Sequence, residues 1–230
     1  MPDIHDRTDV YIESLDAGNT EFLDNLEREA LGDNVPIIRR SMQRFLKLML
    51  KMNKPENILE VGTAVGFSAI LMAQYSEENT HITTIEKYEK RIPVAKENFR
   101  KSGFEDRITF LEGDASDILH EMAEKLDVQP DDKDGGMNEG LFDMIFMDAA
   151  KAQYISFLPD VFRLLKSGGV LLTDNVLQDN TVIQSKYTVT RRDRTIHKRM
   201  REYLMELMQN ENLTTDILQI GDGVAVSVKK

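Results

Sequence analysis

Through the first fifty residues apolar positions recur at helical spacing, most clearly over residues 35–52, where Met42, Phe45, Leu46, Met49 and Leu50 fall on one side of a helix. After Pro55 the pattern changes. Short apolar runs at residues 57–61, 82–86, 108–111, 142–148 and 170–174 alternate with amphipathic stretches, such as the one carrying Ile118, Leu119, Met122 and Leu126. Strands that alternate with helices predict a parallel sheet wrapped on both faces, here beneath a helical N-terminal cover over residues 1–54. Gly103 and the pair Gly168 and Gly169 mark predicted helix ends, because glycine accepts the left-handed conformation that closes a helix.

The alternation breaks near the C-terminus, where residues 214–229 read as a hairpin turning around Asp222 and Gly223. An antiparallel pair then closes the sheet, giving a Rossmann-like α/β layout of seven strands instead of a continued run of parallel units. No linker rich in proline, glycine and serine divides the 230 residues, so a single domain is expected, with its core over residues 55–230. One stretch stands apart. Residues 127–140 carry Pro130, Gly135 and Gly136 among several acids and are predicted to form a mobile surface loop.

Hydrophobic residues at 41% and charged residues at 30% are ordinary for a soluble globular chain. No stretch has the apolar core of a signal peptide or the length of a membrane span, so a cytoplasmic protein with no membrane partner is expected. With no cysteine, disulfide frameworks, thiolate zinc sites and cysteine nucleophiles are excluded together, and any metal must sit on oxygen or histidine. The net charge of −11 repels polyanions at long range. Against that average, Lys186, Arg191, Arg192, Arg194, Lys198, Arg199 and Arg201 face only Asp193, a local charge of +6 that suits either a solvated helix face or a polyanion.

The run from Ile58 to Ala69 passes from a strand through Gly62 and Gly66 into a helix beginning near Phe67. Glycine lets the backbone come close to a ligand, and free N–H groups at the helix start can meet a carboxylate. The spacing G-x-x-x-G differs from the pyrophosphate-binding G-x-G-x-x-G, which favours a ligand lacking that group. Glu86, 24 residues after Gly62, ends the second strand where an acid can accept from both hydroxyls of a ribose. Asp114 ends the third, either to accept from an adenine amino group or to cap the helix from Ala115.

Asp148 ends the fourth strand, and Asp174 with Asn175 ends the fifth. If these strands are neighbours, about 4.8 Å apart, two carboxylates and an amide meet as hard oxygen ligands suited to Mg²⁺. Acids at strand ends also cap the helices that follow. Lys151, three residues after Asp148, faces the same edge and is a candidate base or a salt-bridge partner; Tyr154 would touch substrate or lie on the surface.

The motifs EVGTAVGFS, GDAS, DAAK, TDN and IGDGVAVS, together with Glu86, resemble those of the S-adenosylmethionine- and Mg²⁺-dependent O-methyltransferases of the catechol and caffeoyl-CoA type, over nearly the whole chain. The resemblance implies the class I methyltransferase fold. It implies that Val35, Glu60, Gly62, Ser68, Glu86, Asp114, Ala115 and Asp148 bind S-adenosylmethionine, that Asp148, Asp174 and Asn175 hold Mg²⁺ or Mn²⁺, and that Lys151 is the base. Within the family, NVPIIRR and RRDRT look closest to bacterial tRNA 5-hydroxyuridine methyltransferases. That likeness implies tRNA as substrate, Arg39, Arg40, Arg191, Arg192, Arg194 and Lys198 as RNA contacts, with Arg44 extending the patch, and a homodimer. A small catechol-like or CoA-linked phenol is the alternative substrate, and a non-catalytic cofactor-sensing RNA binder the third reading.

Overall fold

Three helices precede the first strand: α1 (Ile4–Ser14), α2 (Glu21–Gly32) and α3 (Arg40–Asn53). They belong to a computed structural model that describes residues 4–128, 141–177, 181–185 and 187–230. Most of the expected surface loop, residues 129–140, and Lys186 lie outside the described residues. At the start of α2, Thr20 accepts from the Leu23 N–H, and Glu21 and Asp24 place negative charge where the helix dipole favours it. α3 begins at Arg40, not at Val35 as the periodicity predicts. Pro36 steers Val35 away from helical backbone, and residues 35–39 take no regular secondary structure.

The core strands follow as β1 (Asn57–Val61), β2 (His81–Glu86), β3 (Ile108–Glu112), β4 (Phe142–Met147) and β5 (Leu165–Thr173), all parallel to their neighbours. Between and after them run α4 (Phe67–Tyr75), α5 (Ile92–Ser102), α6 (Ala115–Val128), α7 (Tyr154–Leu164) and α8 (Arg194–Gln209). The chain ends in β6 (Leu213–Leu218) and β7 (Val224–Lys229). The sheet order is β3-β2-β1-β4-β5-β7-β6, with β7 antiparallel to both β5 and β6. The seven-stranded α/β arrangement and its closing hairpin are therefore as predicted.

Gly103 closes α5 in the left-handed conformation. Gly168 and Gly169 do not end a helix: α7 stops at Leu164, and the two glycines lie inside β5. There the pairing with β4 jumps from Phe142↔Leu165 to Met144↔Val170, so the extra residues of β5 form a bulge.

Apolar side chains fill both faces of the sheet. One core joins Leu119, Phe157, Val161, Met200 and Tyr203 from α6, α7 and α8; the other joins Leu23, Met42, Leu46, Ile70 and Phe99 from α2, α3, α4 and α5. α4 is buried nearly all round, from Phe67 to Ala73, because α2 and α3 lie over it. Leu46 is fully buried on the α3 face that docks there. Leu46→Ala should therefore cost about 2–5 kcal/mol, read as a lower urea midpoint with an unchanged slope. Among the described residues, no helix is long and apolar enough to cross a membrane.

Candidate active site

The strand order reverses between β1 and β4, and in an open α/β sheet a crevice forms beyond the carboxyl ends at such a point. Here it is a cavity of about 600 Å³, within the range typical of small-molecule sites, roughly 300–1,000 Å³. The turn after β1 forms its floor. Gly62, with φ of +108°, lies so close to β4 that a Cβ there would stand 2.1 Å from the Asp148 carbonyl oxygen. The Asp148 N–H in turn donates to the Val61 carbonyl at 3.0 Å. Gly66 supplies the N-cap of α4 in the left-handed conformation.

Gly62, Ser68, Glu86, Ala115, Asp148, Lys151, Asn175 and Arg39 all line this cavity. Glu86 is held by three backbone donors, the N–H groups of Ala64 at 2.8 Å, Lys87 at 2.9 Å and Tyr88 at 2.8 Å. Its Oε2 takes only the bond from Ala64, which leaves acceptor capacity facing the cavity. Asp114 sits behind the wall that Gly113 and Ala115 form. One of its oxygens accepts from the Ser116 N–H at 2.9 Å and the other from Lys87 at 3.1 Å, bonds that hold its carboxyl below the usual range. The capping role is thus realised.

Two more of the expected cofactor residues do not line the cavity themselves. Val35 does not reach the cavity; Pro36, Ile37, Ile38 and Arg39 form that wall, because the chain stays extended until Arg40. Glu60 lies beneath the floor with no exposed surface, accepting a short hydrogen bond from the Thr84 hydroxyl. Thr84 shares a 2.5 Å bond with Thr63, which does line the cavity. Burial, against the Ser68 and Thr84 hydroxyls and reinforced by the charges of Asp148 and Glu86, lifts the Glu60 carboxyl to about 7. Glu60 pairs in register with Thr84 of β2, which brings their side chains together on one face of the sheet.

At the far end, β4 and β5 are adjacent, so Asp148, Asp174 and Asn175 converge. The Asn175 side chain donates to Asp148 Oδ1 at 3.0 Å, and Asn175 takes a left-handed φ of +61° that turns it toward Asp148. Its backbone N–H donates to Asp174 Oδ1 at 2.7 Å. Asp174 is 3% exposed, and burial followed by the Asp148 charge lifts its carboxyl to about 7. Burial also raises Asp148, which opens only on the cavity, against the Asn175 hydrogen bond and the Lys151 charge. Two carboxylates that repel one another beside an amide are a donor set a hard cation would relieve. Among the described residues, no group of three or more His, Asp or Glu side chains is assembled to hold a metal, so the amide is part of any such set.

These raised carboxyls set a pH dependence. Folded Glu60 and Asp174 keep their protons up to about 7, whereas the unfolded chain releases them near 4, so the folded state binds more protons in between. Stability should fall as pH rises from about 5 to 7 and then level off, with Asp174→Asn reducing the slope; calorimetric melts across that range measure it.

Lys151 lies in the short 3-10 turn Lys151–Gln153 that precedes α7, and its amine is 3.4 Å from Asp222 Oδ2. Asp222, on the turn between β6 and β7, is a site neighbour that sequence reading missed; only the GDG motif pointed to that turn. Tyr154 neither lines the cavity nor lies on the surface. It is fully buried, accepting from the Ala149 N–H at 3.2 Å and donating to the Asp174 carbonyl at 3.4 Å, and so ties the two site strands together.

Of the expected RNA contacts, Arg191, Arg192, Arg194 and Lys198 are exposed at the start of α8. Arg40 is not available to such a patch: it pairs with Asp24 at 3.1 Å and Glu27 at 2.6 Å, acids that α2 presents along its first two turns. Arg44 likewise lies 3.7 Å from Asp16.

The O-methyltransferase family model matches residues 13–230. A caffeoyl-CoA O-methyltransferase from Medicago sativa is 31% identical over 193 residues, 80% of this chain and 70% of that protein. A catechol O-methyltransferase from Niastella koreensis is 32% identical over 145 residues, 63% of this chain, and the match spans only 60% of that relative's length. Among solved structures, one from Staphylococcus aureus assigned as a caffeoyl-CoA O-methyltransferase superposes with a TM-score of 0.83 at 31% identity, covering 99% of this chain and 100% of that one. The SAH-bound methyltransferase PaMTH1 from Podospora anserina, at 24% identity and a TM-score of 0.82, covers 100% of this chain and 98% of its own and shares the fold. On the family match and the relatives at this identity, the chain belongs to the O-methyltransferase family.

Proposed function

We propose that this chain transfers a methyl group from S-adenosylmethionine to a ring hydroxyl, with a divalent cation, Mg²⁺ or Mn²⁺, in the site, and that the acceptor is the 5-hydroxyl of 5-hydroxyuridine in tRNA. When bound, the cofactor supplies an electrophilic methyl group and the cation favours the anionic form of the acceptor hydroxyl. Gly62, Ser68, Glu86 and Ala115 would hold the cofactor along the cavity floor, with Glu86 Oε2 open to a ribose hydroxyl and the glycine giving the ligand close approach to the backbone. Asp148, Asp174 and Asn175 would hold the cation. Lys151 would take the proton of the acceptor hydroxyl, since its amine stands at the same end of the cavity.

The observation that carries the tRNA reading is the exposed run Arg191, Arg192, Arg194 and Lys198 at the start of α8, a helix that reaches the site's Lys151 turn. α8 packs on the turn that bears Lys151, with the Arg199 guanidinium donating to the Ala152 carbonyl at 3.0 Å. Phosphates held by the start of α8 would therefore bring a nucleotide to the cavity mouth. Charge reversal at Arg191, Arg192 and Arg194 should weaken tRNA binding tenfold or more in low salt and flatten its dependence on salt concentration. The test of substrate class is labelled S-adenosylmethionine with total tRNA lacking the modification, followed by nucleoside analysis.

The second reading, a catechol-like or CoA-linked phenol, is favoured by the relatives themselves, one named for catechol and one for caffeoyl-CoA. Methylation of free catechol but not of tRNA would establish it in place of the first.

A further inference from the structure

Asp222 is 7% exposed, far more buried than a turn aspartate needs to be, and its carboxylate faces the amine of Lys151, a long flexible side chain that lines the cavity. The turn that carries it is fastened to the loop after β5: Leu177 N–H donates to the Asp222 carbonyl at 2.9 Å, and Val176 N–H to that of Gly223 at 3.0 Å. Gly223, with φ of +84°, packs so tightly on Leu177 that a Cβ would lie 2.3 Å from its Cγ. The residues after Asn175 thus hold Asp222 in a fixed place relative to Asp174 and Asn175. Asp222 does not line the cavity, whereas Lys151 does.

A lysine side chain carries about 2 kcal/mol of rotamer freedom, and a mobile amine at a reaction centre spends much of its time out of reach of the acceptor. Lys151 is one-third exposed and springs from a single 3-10 turn, so neither burial nor its own element confines it. Its 3.4 Å contact with Asp222 does.

We propose that Asp222 is a positioning residue for the methyl transfer: it holds the Lys151 amine at the acceptor end of the cavity, in register with the Asp148, Asp174 and Asn175 oxygens. The proposal rests on the reading of Lys151 as the base. It makes Asp222 act on the reaction through Lys151, so the two residues must be energetically coupled.

A four-member cycle tests this: the unaltered protein, Lys151→Ala, Asp222→Asn and the double variant, each assayed for kcat and KM with catechol and with tRNA bearing 5-hydroxyuridine, and each titrated with S-adenosylmethionine by calorimetry. Asp222→Asn should lower kcat 10- to 100-fold with cofactor affinity unchanged, Asp222→Glu should recover part of the loss, and in the Lys151→Ala background Asp222→Asn should have no further effect. Equal losses in both backgrounds would show that the carboxylate only supports the turn, and overturn the proposal. So would unchanged kcat in Asp222→Asn when Lys151→Ala is inactive. Unchanged kcat in Lys151→Ala would instead remove the reading of Lys151 as base. Should Asp222→Asn not fold, Asp222→Ser, which keeps both backbone anchors, carries the same cycle.

Discussion

Asp174→Ala is expected to lower kcat by about a thousandfold or more while leaving affinity for S-adenosylmethionine within a few-fold of its original value. Asp174 lies at the end of β5, outside the cavity wall, and none of its bonds reaches the floor around Gly62 where the cofactor would rest. On the proposed metal-assisted reading, the substitution would remove one of two anionic oxygen donors for the cation, whose contribution to the developing charge would be worth several kcal/mol, hence roughly 10³-fold in rate. Asp148→Ala should be equally inactive. Transfer of labelled methyl measures the loss, calorimetry measures the affinity, and full activity in the presence of excess chelator would end the metal-assisted mechanism.

The second large effect belongs to Gly62→Ala. A side chain at φ of +108° costs on the order of 1–3 kcal/mol in backbone strain. The added Cβ also meets a carbonyl oxygen, not the yielding tip of a side chain, because Asp148 O stands 2.1 Å away. The end of β4 must move, and Asp148 with it. We expect a melting temperature lower by roughly 10 °C, since about 3 kcal/mol in a chain of this size moves it by 2–4 °C per kcal/mol, together with loss of cofactor binding. Gly103→Ala is the matched control. Its φ is +76°, yet a Cβ there would meet nothing within 4 Å, so it should cost only the strain and leave binding intact.

Much of this was legible in the sequence because period and chemistry coincide along the central strands. The runs at 57–61 and 142–148 are largely buried, so they read as strands of a covered sheet, and the acids Glu86, Asp148 and Asp174 fall at the carboxyl ends of the second, fourth and fifth runs, where a buried run must stop. Where sequence reading failed, a long-range contact or a local rule had overridden the pattern. α3 starts late: Pro36 keeps Val35 out of helical backbone, and residues 36–39 line the cavity instead of extending the helix. Gly168 and Gly169 look like a helix end, but β5 uses them to absorb extra length opposite β4. Arg40 sits in a basic run, and only the folded chain reveals that Asp24 and Glu27 have claimed it. Asp222 could not be found by spacing, because 71 residues separate it from Lys151.

The acceptor end of the cavity is assembled from chain segments that are far apart in sequence: Arg39 near the beginning, Lys151 and Asn175 in the middle, and the turn bearing Asp222 close to the end. Such contacts are slow to form, since each must wait for a large loop to close. During synthesis the parallel strands and the cofactor floor can take shape well before β7 slots between β5 and β6, whereas the centre where a proton would leave the acceptor cannot. A nascent chain could thus hold the methyl donor without being able to spend it, and catalytic competence would arrive as a late event, with the insertion of the last strand.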